Sequence, residues 1–501
     1  MKSILVLFDS LNRRALSCYG GPVPTPNFDR LATRGMVFDR HYVGSMPCMP
    51  ARRDMQTGRL NFLHRSWGPL EPFDRTVTGD IQAAGIHAHL VTDHYHYFET
   101  GGATYHTEFT SWDFIRGQEA DPWNAVVRPP VDRYRAQYHA EQVDDTRSGY
   151  RLQGALNRDL IRETPEFPCV KCFDSALSFL DRNAASPDWH LQLETFDPHE
   201  PFHAPQEYRD RFVTGYNGPV LDWPRYRRTD GDSEAEMAEM RANYAALVAL
   251  CDDQLGRLLD WMDDTGAWDD TALIVTTDHG FLLGEHDWWG KNRAPFYNEI
   301  ANIPLVVCLP GVAAGRSDAL SQNIDIAATL LDLHGLPRPP AMVGRSLVPC
   351  ATDASSGRAV ALYGIFGGAI NATDGRHTYF RYPPEMETAP LFEYTLMPQH
   401  STRPFAAAEL SRAELHPGFD FTGVPVLKVP ALPDAKRPPM QGGGFADTDT
   451  VLYDLSTDPG QTTAVTDSDT EARLTGAIVT EMRRHDAPPE LYARFGLETA
   501  P

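Results

Sequence analysis

Six short polar groups in this chain have types and spacings that could do chemistry. Cys48 lies in Ser45-Met46-Pro47-Cys48-Met49-Pro50-Ala51-Arg52-Arg53-Asp54-Met55-Gln56-Thr57-Gly58-Arg59. Pro47 and Pro50 fix a turn there, and Arg52 follows where a helix can begin. Cys48 would then stand at a helix N-terminus beside a permanent cation, a place suited to an anion or a developing oxyanion. A free cysteine is as a rule a small buried hydrophobe, so residue type alone leaves both readings open. The other groups are Asp9, Asp93-His94-Tyr95-His96, Asp197-Pro198-His199, Asp278-His279-Gly280 and Lys291. Taken singly, the acids also suit caps and turns, the histidines structural roles, and the lysine a solvated surface.

Four of these groups directly follow apolar, strand-like runs. Ile4–Phe8 delivers Asp9, Ile86–Val91 delivers Asp93 to His96, His190–Phe196 delivers Asp197 to His199, and Ala272–Thr277 delivers Asp278-His279. Ile303–Leu309 reads as a further buried strand. Between the strands lie helical patterns. Thr25-Pro26 opens one that carries Phe28 and Leu31 and stops at Gly35. A long amphipathic stretch runs from about Glu234 to Asp264, with Leu247, Leu250, Leu255, Leu258 and Leu259 on its apolar side. Strands alternating with helices predict an α/β fold, a large mainly parallel or mixed sheet sandwiched by helices. Ligands bind such sheets beyond the carboxyl ends of the strands, where these polar groups fall.

From Gly357 the pattern changes to short strands (Ala359–Ile365, Ala369–Thr373, His377–Arg381), a proline-rich stretch over 383–439, a strand at Val451–Leu455 and a helix from about Thr470 to His485. The predicted division is a catalytic α/β domain over 1–356 and a smaller α+β domain over 357–501. The proline-rich stretch is expected to reach toward the active site or toward a neighbouring subunit.

Cys48-Met49-Pro50-Ala51-Arg52 followed by Thr57-Gly58-Arg59 resembles the C-x-P-x-R…T-G-R signature of the type I sulfatases, in the alkaline phosphatase superfamily. The resemblance runs nearly end to end, with Ala51 where many members have serine. It implies that Cys48 is oxidised to formylglycine by a maturation system, and that the hydrated aldehyde is the nucleophile. It also implies one divalent metal ion held by Asp9, residue 48, Asp278 and His279. Arg52 would stabilise the nucleophilic oxygen, and Lys291 would bind sulfate. His199 would protonate the leaving group, with His203 the weaker alternative, and His96 would take a proton during elimination. His94 falls where the family usually has lysine, in the substrate-binding position.

Three departures bear on specificity. Ser10 follows Asp9 where the family often has a second aspartate, and His279 replaces asparagine. Both resemble the subgroup that contains phosphonate monoester hydrolases, and they shift preference from Ca²⁺ toward Mn²⁺ or a similar ion. At His94 a histidine carries charge only part of the time near neutral pH. The implied activity is hydrolysis of small-molecule sulfate monoesters in the manner of an arylsulfatase. A phosphonate monoesterase or phosphodiesterase on the same scaffold is the alternative, and an inert binding protein is what remains if Cys48 is not converted.

Composition narrows the partners. The chain has 501 residues and a formal charge of −23, which disfavours nucleic acid and anionic membranes. No apolar run is long enough to span a bilayer, and Ile4–Phe8 is too short for a signal-peptide core. Seven scattered cysteines do not form a disulfide framework, so a cytoplasmic location is expected. Cys169-Val170-Lys171-Cys172 reads as core despite its spacing, and Asn371-Ala372-Thr373 is a sequon only on paper. Trp67, Tyr97, Phe98, Trp288, Trp289 and Arg293 lie near the motifs. Self-association is left open by the sequence.

Overall fold

A computed structural model describes residues 1–100, 104–143, 149–387, 389–431 and 444–497. Its centre is the strand Lys2–Phe8, buried at every position, as a run apolar on both faces requires. It pairs in parallel with Trp189–Thr195 on one side and Thr271–Thr276 on the other. The eight-stranded sheet has the order 315–317, 36–38, 305–308, 271–276, 2–8, 189–195, 88–92, 111–114. Leu305–Cys308 runs antiparallel to its neighbours, so the sheet is mixed with a parallel centre.

Alternation along the central strand divides the core. Ile4, Val6 and Phe8 pack with the helices Pro168–Asn183 and Glu234–Thr265, whereas Leu5 and Leu7 pack with Cys48–Thr57, Val77–Ala83 and Asp325–Leu333. The long helix begins where Ser233 and Glu236 form a capping box and ends at Gly266 in the left-handed region. Its five leucines are fully buried, as their spacing predicts. Cys169 and Cys172 are buried in the first turns of their helix and belong to the core.

The parallel centre brings the ends of four strands to one edge, and all four strand-end motifs lie there. A second, five-stranded sheet follows the order 451–454, 377–381, 370–373, 361–365, 45–46. Its last member, Ser45–Met46, is the segment just before Cys48, paired in parallel with Gly364 and Ile365. The C-terminal residues therefore share a sheet with the segment that carries Cys48. They also share a core, in which Leu60, Phe62 and Ile324 meet Leu474, Ile478 and Met482 of the helix Ser468–Arg484.

Within the proline-rich stretch the structure shows a three-stranded sheet that local patterning did not predict, Phe392–Thr395, Val426–Pro430 and Glu414–His416. It leans on the loop after the Cys48 helix. Glu393 pairs with Arg65, and Glu71 accepts hydrogen bonds from Thr395 Oγ1 at 2.6 Å and Leu396 N at 2.7 Å. Residues 388 and 432–439 of that stretch lie outside the described residues.

Candidate active site

Cys48 is the first residue of the helix Cys48–Thr57, every residue of which is buried. The T-G-R motif ends this helix. Thr57 Oγ1 donates to the Arg53 carbonyl at 2.8 Å, Gly58 takes φ 66, and Arg59 donates to the Ala341 carbonyl at 2.5 Å and pairs with Asp486 at 3.2 Å. The motif's visible task is thus to end the helix and fasten it to the C-terminal region.

Asp9, Cys48, Asp278 and His279 converge with donor atoms all within 4.8 Å of one another, and all four are buried. Cys48 Sγ stands 3.1 Å from His279 Nε2 and 3.9 Å from Asp9 Oδ1. His279 Nδ1 lies 3.1 Å from the Gly280 carbonyl, which can only accept, so Nδ1 carries the proton and the Nε2 lone pair faces the cluster. Burial and the Asp278 charge push Asp9 up. Burial would raise Asp278 too, but His279, Arg52 and Lys291 hold it below its ordinary value. Two buried carboxylates working against each other beside a free imidazole lone pair suit a divalent cation, which would relieve the repulsion. The donor set of two carboxylates, one imidazole and residue 48 fits such an ion. Cys48 itself is a neutral thiol, because burial lifts it well above the usual thiol range.

Arg52 is placed differently from the expectation. Its Nε reaches Glu194 at 2.6 Å, Nη1 reaches the Cys48 carbonyl at 3.0 Å and Asp278 at 2.7 Å, and Nη2 reaches Asp9 at 2.8 Å and Glu194 at 2.5 Å. Four of these contacts are hydrogen bonds and the fifth is an ion pair, and none is to Sγ. Arg52 therefore holds the carboxylates and the helix start and does not itself face the reacting atom. Lys291 is the cation that does, with Nζ 3.4 Å from Cys48 Sγ and 3.0 Å from Ser10 Oγ. Burial would lower Lys291, but Cys48, Glu200, Asp9 and Asp278 hold it above its usual value. Ser10, at φ 58, also donates to Asp9 Oδ1 at 2.8 Å. Where the family often has a second aspartate, this chain therefore has a hydroxyl linking Lys291 to Asp9.

The histidines separate into distinct roles. His199 Nδ1 sits 2.5 Å from the Glu200 carbonyl, leaving Nε2 free to hold a proton toward the site. His203 hydrogen-bonds the Ile161 carbonyl, and burial lowers it to about 4, so it is structural. His94 is fully buried, 3.7 Å from Asp9, with neither ring nitrogen hydrogen-bonded among the described residues. Burial and the Arg52 charge lower it well below the imidazole range. The expected partial charge is thus corrected to a neutral ring. His96 also departs from expectation. Its Nδ1 is 2.8 Å from Glu99 and its Nε2 is 3.6 Å from Glu119. Burial alone would lower it, but these carboxylates lift it to about 9. It is a cation at neutral pH, poorly suited to take up a proton.

Motif reading missed Glu194 and Glu119, and it noted Ser10 and Tyr97 without giving them a role at the site. Glu194 carried a signal, since an acid inside the buried strand Trp189–Thr195 needs a cation. Tyr97 donates to the same carboxylate at 2.7 Å. Of the nearby aromatics, Trp67 meets the His96 ring edge-on at 5.2 Å, and Phe98 stacks on Phe114. Trp289 donates to Asp232, and Trp288 is flanked by Arg228 and Arg293.

Comparison with known proteins agrees with this geometry. A family model described as Sulfatase matches residues 2–336. The chain is 28% identical over 381 residues to the multifunctional alkaline phosphatase superfamily protein PehA of Trinickia caryophylli, covering 65% of this chain and 71% of that one. It is 26% identical over 400 residues to an N-acetylglucosamine-6-O-sulfatase of Bacteroides thetaiotaomicron, covering 69% and 70%. Among solved structures, the phosphonate monoester hydrolase of Agrobacterium radiobacter shares the fold with a TM-score of 0.64 at 20% identity, over 97% of this chain and 96% of that one. With the family model spanning two thirds of its length, the chain belongs to the sulfatase family of the alkaline phosphatase superfamily and is a hydrolase of sulfuric ester bonds.

Proposed function

We propose that this sulfatase is arylsulfatase-like, and that it works through formylglycine made from Cys48 and one divalent ion held by Asp9, residue 48, Asp278 and His279. The observation that carries this reading is the convergence of those four donors within 4.8 Å around a buried helix start, with Lys291 3.4 Å from Sγ. The imidazole in the set favours Mn²⁺ over Ca²⁺. The ion would supply charge neutralisation at the oxygen that replaces Sγ. The hydrated aldehyde would supply an oxygen nucleophile on a carbon able to revert to the carbonyl.

The chain's own residues account for the rest. Lys291 binds the negative oxygens of the ester and orients them toward residue 48. Arg52 fixes Asp9, Asp278 and the Cys48 carbonyl as one rigid unit. His199 keeps its Nδ1 proton on the Glu200 carbonyl and presents Nε2, where the charge of a bound anion favours a second proton for the leaving oxygen. His94 contributes a neutral ring where a lysine would add charge. That observation favours a second activity toward phosphate diesters or phosphonates, in which a substituent replaces one charged oxygen.

A cytoplasmic setting with a formylglycine-generating partner belongs to this reading. All seven cysteines are unpaired, and no described helix is long and apolar enough to cross a membrane. The test is the mass of the peptide containing residue 48 after production with and without a formylglycine-generating enzyme, alongside turnover of an aryl sulfate and an aryl phosphonate. Conversion accompanied by aryl sulfate turnover is expected. Full activity of unconverted protein would overturn the assignment of the nucleophile.

A further inference from the structure

A cleft of about 420 Å³ opens where the loops around Arg13 and Tyr42 meet the turn at Pro459. One wall is built from the turn Arg13–Ala15, the strand His41–Tyr42 and the short helix Asn298–Ala301. Gly375, Leu455 and Pro459-Gly460 face it from the C-terminal region. None of the catalytic residues or metal donors lines this cleft. Its volume suits a small organic ligand better than a single water or ion.

The cleft is cationic on a chain whose net charge is −23. Three arginines line it, and they are committed to different degrees. Arg14 pairs with Glu299 and donates Nη2 to the Pro459 carbonyl at 2.8 Å. Arg13 Nη2 stands 3.3 Å from Asp39, a carboxylate already held by Arg316 at 3.0 Å. The buried Nε of Arg13 has no hydrogen-bond partner among the described residues. Arg40 makes no side-chain hydrogen bond or ion pair among the described residues. Gly375, at φ 85, leaves room for it, since a Cβ there would stand 3.0 Å from Arg40 Cδ. Acids at the rim are occupied elsewhere. Asp458 accepts from Thr462 N at 2.6 Å and Thr463 N at 2.7 Å, and Asp374 is held by Arg473 at 2.6 Å. Arg13, Arg14, Arg40 and Arg316 therefore face only Asp39 and Glu299, and positive charge is left over.

Two amides complete the wall. Asn298 is 9% exposed, and its Oδ1 has no hydrogen-bond partner among the described residues. The buried Oδ1 of Asn302 is likewise unpartnered, and its Nδ2 makes only a 3.4 Å contact to the Asp39 carbonyl. Buried polar atoms of this kind call for a partner. The guanidinium N–H groups need an acceptor, and a dianion supplies one. The amide oxygens need a donor, which a fully ionised oxyanion lacks and a hydroxyl has.

We propose that this cleft is a second binding site, separate from the catalytic one, for a small polyol carrying a phosphate or sulfate group. The oxyanion takes Arg40 and Arg13 Nε, and hydroxyls donate to Asn298 and Asn302. The acidic remainder of the surface disfavours anions elsewhere, which focuses them on this patch.

The test is calorimetry on Cys48→Ala protein, which cannot turn the probes over. The probes are inositol monophosphate, inositol monosulfate, inositol and inorganic phosphate, and the two esters show which oxyanion the site takes. At least one ester should bind about tenfold or more tightly than inositol or inorganic phosphate, the value of a hydrogen bond to a charged group. Arg40→Gln should weaken that ester by about tenfold for the same reason, and Arg13→Gln should do so if Arg40→Gln fails to fold. Adding Lys291→Ala, which removes the cation at the catalytic site, should leave the affinity unchanged. No binding of either ester at millimolar concentration, equal affinity for inositol or inorganic phosphate, or wild-type affinity in both arginine variants would each overturn the proposal. Loss of binding in the Lys291→Ala protein would overturn it too, by placing the ester at the catalytic site.

Discussion

Replacing Arg52 with methionine gives the most informative perturbation, because its consequences can be worked out from contacts. Arg52 is 1% exposed and neutralises Glu194, Asp9 and Asp278, all fully buried. Removing one partner of a buried ion pair typically costs about 3–5 kcal/mol, since the remaining charge is left uncompensated. For a chain of 501 residues melting as one unit, this corresponds to roughly 3–5 °C in Tm. The loss should depend on metal. A divalent ion held by Asp9 and Asp278 offsets two of the three carboxylates, so the deficit should be largest in chelated protein and shrink on adding Mn²⁺. Glu194 is not in the donor set, so part of the loss should survive metal addition. That residual part should be recovered by Arg52→Met combined with Glu194→Gln. Scanning calorimetry of the four proteins in chelator and in Mn²⁺ completes the cycle. An identical loss in both conditions, with no recovery in the double variant, would refute the view that Arg52 couples the metal carboxylates to Glu194.

Other outcomes follow from the same geometry. Cys48→Ala should fold normally and lose all turnover, and Cys48→Ser should lose nearly all; near-normal hydrolysis by folded Cys48→Ala would remove the assigned nucleophile. Chelation should abolish activity, and Asp9→Ala or Asp278→Ala should mimic it, with elemental analysis giving about one divalent ion per wild-type chain; full activity in metal-free protein contradicts this. His94→Lys should shift the kcat/KM ratio toward sulfate monoesters over phosphonates or phosphodiesters. A ratio unchanged across pH, at constant metal content, would separate His94 from substrate range.

What the sequence disclosed and what it withheld follow from the range of the interactions involved. The strands at Lys2, Trp189 and Thr271 were legible because a parallel sheet covered on both faces leaves continuous apolar runs, and the polar residues ending those runs were legible for the same reason. His377–Arg381 was read with its observed bounds. The sheet inside the proline-rich stretch was not, because Glu414–His416 and Phe392–Thr395 meet only through Val426–Pro430, a pairing that no local period encodes. His96 illustrates the limit at the site. Its motif position suggested a base, whereas Glu99 beside it and Glu119, supplied by a loop more than twenty residues away, hold it as a cation.

The placement of Cys48 also answers why a C-terminal sheet accompanies the catalytic one. The segment before Cys48 has no place in the large sheet, and its two residues Ser45 and Met46 pair instead with Gly364 and Ile365. Asp54, one turn and a half into the helix, then locks that segment by accepting from Ser45 N at 2.6 Å, Ser45 Oγ at 2.8 Å and Asn61 N at 2.9 Å. The helix start is held from the sheet side by Arg52, from the C-terminal side by the Ser45–Met46 pairing, and at its far end by Arg59 on Ala341 and Asp486. A nucleophile must stay within a fraction of an ångström of its metal donors, and a two-residue strand alone could not hold it there. The C-terminal region therefore acts as the second jaw of a clamp on the Cys48 helix, and the aim of residue 48 depends on residues more than three hundred positions downstream.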